Sequence, residues 1–237
     1  MPSTGQKHLI IGAGEIGKAL QRVLKPHGIV DIRDVKSSEE EDRYYDVLHI
    51  CYPAIKKFVQ VTKKYIKQYK PQLVIIHSTV AVGTTRKIAP FAVHSPVRGV
   101  HPHLEEGIGT FVKYFGGEKS KEAAKIFSVL GILVQVFPEP ETCELLKILD
   151  TTYYGWNIVF AKEAERICQK LNLKFEDVYV DPNISYNEGY RKLGKPNVVR
   201  PVLVPMAGKI GGHCVIPNCK LFPTWLTRII KRRNEQY

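Results

Sequence analysis

The sequence predicts an α/β fold, a doubly wound parallel sheet covered on both faces by helices, followed by a smaller all-helical domain. Three observations predict it. Apolar runs of strand length alternate with amphipathic helical stretches as far as Phe137, Pro138-Glu-Pro-Glu141 interrupts the pattern, and Thr142 to Leu171 then runs with one Gly and no Pro. Domain limits of 1–138 and 139–237 follow.

Taken in order, His8-Leu-Ile-Ile-Gly12 reads as a buried strand, Ile16 to Leu24 as a helix, and Ile29 to Arg33 and Val47 to Cys51 as two further strands. Ile55 to Tyr69 has apolar positions near the helical period with lysines between them, and Gln72 to Ile76 is again strand-like. Val112 to Gly117, Lys121 to Leu130 and Leu133 to Phe137 continue the alternation. Beyond the break, Leu145, Leu146, Leu149, Tyr153, Trp156, Ile158, Phe160, Ala164 and Ile167 fit one long helix, apolar around much of its circumference. Such a helix is expected at the centre of the second domain and as the seam of a homodimer. Asn187 to Gly212, rich in Gly, Pro, Val and Arg, is read as irregular, and a last helix is expected from about Phe222 to Asn234.

With 237 residues, 44% of them hydrophobic, the chain can bury a substantial core. No segment approaches the roughly 20 apolar residues that span a bilayer, and Met1 to Lys7 is short and polar, so no membrane association and a cytoplasmic location are expected. Cys51, Cys143, Cys168, Cys214 and Cys219 are scattered, without zinc-site pairing or disulfide density. The excess of 35 Lys and Arg over 23 Asp and Glu favours a small anionic substrate. Basic residues are spread along the chain, and the one dense run, Arg228-Ile-Ile-Lys-Arg-Arg233, reads as a solvated helix face, so nucleic acid is not an expected partner.

Gly12-Ala-Gly14-Glu-Ile-Gly17 follows the first strand and opens the first helix. Gly12 permits a tight turn, Gly14 lets backbone approach a pyrophosphate, and Gly17 lets the helix pack closely on the strand. The helix start, with Glu15 and Ile16, offers N–H groups to phosphate. Asp34 ends the second strand, about 20 residues on, where a carboxylate can accept from adenosine ribose hydroxyls. This is the Rossmann arrangement, and it predicts NAD; Arg33 and Lys36 beside Asp34 leave NADP open. Tyr52 and Pro53, after the third strand, lie where the nicotinamide side of the cofactor passes. The competing reading is a glycine turn that holds no dinucleotide.

Three further segments stand in order behind this motif: Ser78-Thr-Val-Ala-Val-Gly-Thr-Thr-Arg-Lys87, Glu144-Leu-Leu-Lys147 and Gly211-Gly-His-Cys214. Together they resemble the UDP-glucose/GDP-mannose (nucleotide-sugar) 6-dehydrogenases over roughly residues 8–220. The resemblance implies NAD-dependent oxidation of an alcohol in which Cys214 captures an aldehyde as a thiohemiacetal, Lys147 stabilises the oxyanion and Thr79 places the reacting hydroxyl and water. Ser78 falls on the cofactor side, and Arg98, His101, Thr151, Gly211, His213 and Asn218 fall on the substrate side. Asn218 stands where the family usually has Asp, and an amide cannot act as a base. Thr151 replaces the family's Asn, Val97 its Glu, and its C-terminal nucleotide-binding domain is expected to be absent.

Ser95-Pro-Val-Arg-Gly99 also resembles the substrate loop of the β-hydroxyacid dehydrogenases, which implies a single-step reaction with Lys147 as acid/base, Arg98 on a substrate carboxylate or phosphate, and a structural Cys214. A third reading is a non-catalytic NAD-binding scaffold. Lys147 reads equally as a solvated helix residue and Cys214 as a small turn residue. His94, His101 and His103 with Glu105 and Glu106 read as substrate-loop or packing residues, and no metal site is expected.

Overall fold

The structure, a computed structural model, describes residues 5–35, 44–212 and 214–237; Lys36 and His213 lie outside the described residues. The chain divides into two compact units, Met1–Lys147 and Ile148–Tyr237.

The first unit is built on a seven-stranded sheet in the order β2-β1-β3-β4-β5-β6-β7. The strands are β1 (Lys7–Ile11), β2 (Ile29–Arg33), β3 (Val47–Ile50), β4 (Leu73–Ile76), β5 (Ala92–His94), β6 (Lys113–Gly116) and β7 (Val134–Phe137). Between them run α1 (Glu15–Leu24), α2 (Phe58–Tyr69), α3 (Thr84–Ile88), α4 (Leu104–Thr110) and α5 (Ser120–Ser128). Side chains alternate across the pleat, so each apolar strand feeds two cores. Ile10, Val47, Ile75, Phe115 and Phe127 fill one, and Leu9, Ile11, Leu48, Ile50, Val74 and Ile76 the other. The order reverses between β1 and β3, which makes the carboxyl edge there the place where such sheets bind ligands.

Several sequence expectations are corrected. The sheet is not wholly parallel: β6 pairs antiparallel with β5 at His94↔Gly116, and β7 is parallel to β6. The reason is local. The 95–110 segment folds back on itself, with the Cα of Gly99 only 2.8 Å from where a Cβ on Gly107 would stand. The chain therefore re-enters the sheet from the edge it left, without the long crossover that a parallel return needs. The helix expected from Ile55 begins at Phe58, and α3, β5 and α4 arise where no element was expected.

A series of buried histidines runs through this apolar sheet. His8 pairs with Val47 and His49 with Ile75, so each next histidine in the series His8, His49, His77 stands two residues further along its strand and keeps to the same face. Their rings stack at 5.2 and 5.3 Å. The ring nitrogens bond in series, His8 to His49 at 2.9 Å and His49 to His77 at 3.0 Å, and His77 Nδ1 donates to the Ser95 carbonyl at 2.9 Å. That carbonyl only accepts, so each ring carries its proton on Nδ1, His49 and His77 receive at Nε2, and the series is uncharged.

The second unit is helical. α6 (Pro140–Leu171) begins in the first unit and continues into it, followed by a π-helical turn (Glu176–Val180), α7 (Asp181–Lys192), α8 (Val215–Leu221) and α9 (Trp225–Asn234). The segment expected to be irregular is helical as far as Lys192, because α7 runs through Asn187, and α8 was not expected at all. The expected last helix starts three residues late, at Trp225, where Thr224 and Thr227 form a reciprocal cap. Gly155 lets α8 approach α6: a Cβ there would lie 2.6 Å from Val215 Cγ1.

Burial holds the His8 and His94 imidazoles down at about 4 against 6.5, and holds His49 and His77 well below 6.5. The unfolded chain therefore binds more protons than the folded one below pH 6.5. The histidine contribution should be level above pH 6.5 and fall as pH drops from 6.5 towards 4, with His8 and His94 each contributing about 3 kcal/mol to the loss. Denaturant titrations across this range read it directly; a slope unchanged after His94→Gln would contradict the assignment.

Candidate functional site

At the carboxyl edge of β1 the backbone turns sharply. Gly12 has φ +110°, its N–H donates to the Arg33 carbonyl at 2.8 Å, and a Cβ would stand 2.8 Å from the Tyr52 nitrogen. A Cβ on Gly17 would stand 1.9 Å from the Gly12 carbonyl oxygen, so α1 passes the turn at a distance only glycine allows. Gly14 differs. It precedes α1 with ordinary φ −71°, no side chain caps the helix there, and a Cβ would meet nothing within 4 Å. The first N–H groups of α1, at Glu15 and Ile16, thus have no side-chain cap and stand beside a residue without a side chain, which fits a diphosphate.

Asp34 lies beside this turn. Its carboxylate accepts from Ala13 N–H at 2.7 Å and from Val35 N–H at 2.6 Å, which joins the end of β2 to the glycine loop. Arg33 Nη1 donates to the Tyr69 hydroxyl at 2.5 Å, and its guanidinium lies 5.7 Å from the Tyr65 ring centre. The exposed Glu15 carboxylate pairs with the His101 imidazole, so the 95–103 loop reaches the start of α1. These residues fit a dinucleotide.

The ends of β3, β4 and β5 are knitted together. Ser78 Oγ donates to the carbonyls of Tyr52 at 2.6 Å and Ile50 at 3.2 Å. His94 Nε2 donates to the Ser78 carbonyl at 3.1 Å, the reciprocal of the His77 to Ser95 bond, so β4 and β5 clasp each other just before Thr79 and Arg98. The Tyr52 hydroxyl meets Thr62 Oγ1 at 2.5 Å, and burial pushes its ionisation up to about 12. Pro53 is exposed and Thr79 half-buried. Arg98 lies 5.5 and 5.7 Å from the ring centres of Phe111 and Tyr114. His94 is buried in the sheet while His101 and His103 are exposed, and no group of three or more metal-ligating side chains gathers among the described residues.

Lys147 is half-buried on α6, three residues after a carboxylate whose part the sequence did not reveal. Glu144 is fully buried and accepts from Gly83 N–H at 2.5 Å and Thr85 N–H at 2.7 Å at the start of α3. It fastens the Ser78–Lys87 segment to the helix that carries Lys147. Burial raises its carboxyl and the two N–H bonds oppose that. Arg86 reinforces the junction from outside through Glu139 and Glu141.

In the second unit, Cys214 leads into α8, and its carbonyl accepts from Asn218 N–H at 3.1 Å. Asn218 Nδ2 donates to Thr151 Oγ1 at 3.2 Å, both side chains being buried. The unit therefore brings Thr151, Cys214 and Asn218 together. Gly211 and Gly212 are exposed, Gly212 with φ +77°. Of the five cysteines, all reduced, four are buried and Cys214 is half-buried.

No known family profile matches the chain. In sequence it is similar to the UDP-N-acetyl-D-mannosamine dehydrogenase of Methanococcus maripaludis, at 26% identity over 152 residues that cover 60% of this chain and 33% of that protein. The chain resembles a nucleotide-sugar dehydrogenase over part of its length. It spans about a third of the length of that curated relative. In structure it is similar to the UDP-D-ManNAc dehydrogenase from Pyrococcus horikoshii, with a TM-score of 0.78 at 17% identity, covering 98% of this chain and 68% of that one. It is also similar to 3-hydroxyisobutyrate dehydrogenase from Mycobacterium tuberculosis, with a TM-score of 0.68 at 14% identity over 100% of this chain and 94% of that one. The two structural likenesses agree on a Rossmann-type sheet followed by helices. Among the described residues no helix is long and apolar enough to cross a membrane.

Proposed function

We propose that the chain is an NAD-dependent dehydrogenase that oxidises an alcohol on a small anionic substrate of the sugar-nucleotide kind. The observation that carries the reading is the glycine turn, open at Gly14 and closed at Gly12 and Gly17, with Asp34 hydrogen-bonded beside it. The N–H groups at the start of α1 would hold the diphosphate, and Asp34 the adenosine ribose hydroxyls. A carboxylate there disfavours a 2′-phosphate, and the neighbouring Arg33 is engaged with Tyr69 and Tyr65, so NAD is preferred to NADP. Bound NAD supplies the hydride acceptor.

On the protein side, Thr79 orients the reacting hydroxyl, and the Lys147 ammonium stabilises negative charge on the reacting oxygen. Arg98 and His101 bind the anionic part of the substrate. Cys214, the most accessible of the five thiols, is the nucleophile that adds to the aldehyde carbon while its proton passes to solvent or to a neighbouring base. Names of relatives support this substrate class: UDP-N-acetyl-D-mannosamine dehydrogenase in one case, UDP-D-ManNAc dehydrogenase in another.

A second reading has its own support. Asn218 cannot act as a base and its amide is engaged with Thr151, and the chain covers 94% of a 3-hydroxyisobutyrate dehydrogenase. On that reading the reaction is a single oxidation, with Lys147 as acid/base. We also infer a homodimer through α6, whose exposed Leu149, Tyr153, Phe160, Ile167 and Leu171 repeat at helical spacing.

Turnover with NAD over sugar nucleotides and hydroxyacids separates the two reactions. A second equivalent of NADH per substrate, lost in Cys214→Ser, is expected on the first reading; one equivalent, unaffected by Cys214→Ser, would overturn it. Sedimentation velocity should show a dimer at micromolar protein, and a monomer after Phe160→Asp; a wild-type monomer would contradict the seam.

A further inference from the structure

The segment before Cys214, residues 199–212, has neither helix nor strand, yet helical side chains hold it at intervals. Asn187 bonds both backbone groups of Arg200, at 2.7 and 2.8 Å, and the Tyr179 hydroxyl donates to the Pro201 carbonyl at 3.2 Å. Nearest the cysteine, Lys162 Nζ donates to the carbonyls of Met206 and, at 2.8 Å, of Gly208. Asn234 Oδ1 accepts from Ile210 N–H at 2.6 Å.

Lys162 is an unusual residue for mere packing. It is 6% exposed, on α6, and its ammonium lies 4.9 Å from the Tyr237 ring centre. Withdrawing an ammonium from water is costly unless strong acceptors replace the lost hydration. The two loop carbonyls and the ring face are those replacements. The next residue, Glu163, accepts from Arg233 Nε at 3.1 Å and from the Tyr237 hydroxyl at 2.8 Å, which fixes the aromatic ring under Lys162. Beyond Ile210 only Gly211, Gly212 and His213 separate the clamped backbone from Cys214, and Gly208 and Gly212 both have left-handed φ, +76° and +77°. Two glycines transmit little stiffness by themselves, so the clamp sets where the cysteine turn begins.

We infer that Lys162 and Asn234 are positioning residues: they clamp the 206–210 backbone from α6 and α9 and thereby set the placement and accessibility of the Cys214 thiol. The catalytic part of this inference rests on the reading of Cys214 as nucleophile; the structural part does not.

Alkylation by iodoacetamide, followed at each cysteine by peptide mass spectrometry, tests it on the whole chain. Cys51, Cys143, Cys168 and Cys219 are buried and report general unfolding, while Cys214 reports the turn. Lys162→Met keeps the stem and removes the donor; Asn234→Ala removes the other hold. Asn234→Ala should raise the Cys214 rate about tenfold, the effect of losing roughly one net hydrogen bond in a local opening, and Lys162→Met, which loses two, by more, while the other four thiols stay protected. The kcat should fall about ten- to a hundredfold with KM for NAD unchanged. If Lys162→Met exposes all five thiols, Asn234→Ala decides alone. Wild-type Cys214 rates in the folded variants overturn the clamp. Undiminished turnover in Cys214→Ser overturns the nucleophile reading and leaves the alkylation result standing.

Discussion

The structure of the first unit depends on one close approach. With a hypothetical Cβ of Gly17 falling 1.9 Å from the Gly12 carbonyl oxygen, α1 can lie against the end of β1 only because Gly17 has no side chain there. That contact fixes where the helix starts, and the helix start fixes which N–H groups are left without partners. Asp34 then joins the end of β2 to Ala13 in the same turn, so the backbone proposed for the diphosphate and the carboxylate proposed for the ribose are held as one piece. On the proposed reading, a ligand site at the carboxyl edge is a consequence of packing, not an addition to it.

Around this turn, buried polar groups do work that apolar packing cannot. The sheet is apolar on both faces, yet the ends of β3, β4 and β5 are joined by Ser78, His77 and His94 acting on backbone carbonyls. A carbonyl buried at a strand end needs a donor, and an imidazole kept uncharged provides one without the cost of a buried ion. Glu144 serves the start of α3 in the opposite sense, as an acceptor for two N–H groups. In the second unit, Lys162, Asn187 and Asn234 do the same for a segment that has no ladder of its own. Thr79 and Cys214 lie on irregular backbone, and in each unit a regular element beside them supplies the order.

How much of this was legible in the sequence follows from range. β1 to β4, α1, α2 and α6 were readable because their apolar period is local and long enough to count. β5 has three residues and α3 five, and α3 takes its cap from Glu144, some sixty positions away, so no local window contains its cause. α7 was obscured by Asn183, Asn187 and Gly189, whose polarity and flexibility argue for a loop until Asn187 is seen bonding Arg200. Of the site, Gly12, Gly14, Gly17 and Asp34 were legible because their spacing is itself the geometry. Lys162 and the histidine series were not. A lysine or histidine alone reads as surface, and the only available signal, a histidine advancing two residues per neighbouring strand, needs the register before it means anything.

The central claim is that the gap at Gly14 belongs to a dinucleotide. Gly14 has a backbone conformation open to any residue and space for a side chain, so Gly14→Val should fold with the stability of the parent while filling the place assigned to the diphosphate. Calorimetric titration of both proteins with NADH is the direct measurement. Saturable binding to the parent and none to Gly14→Val at equal thermal stability is expected; equal affinity in the two proteins, or no heat with either, would contradict the assignment.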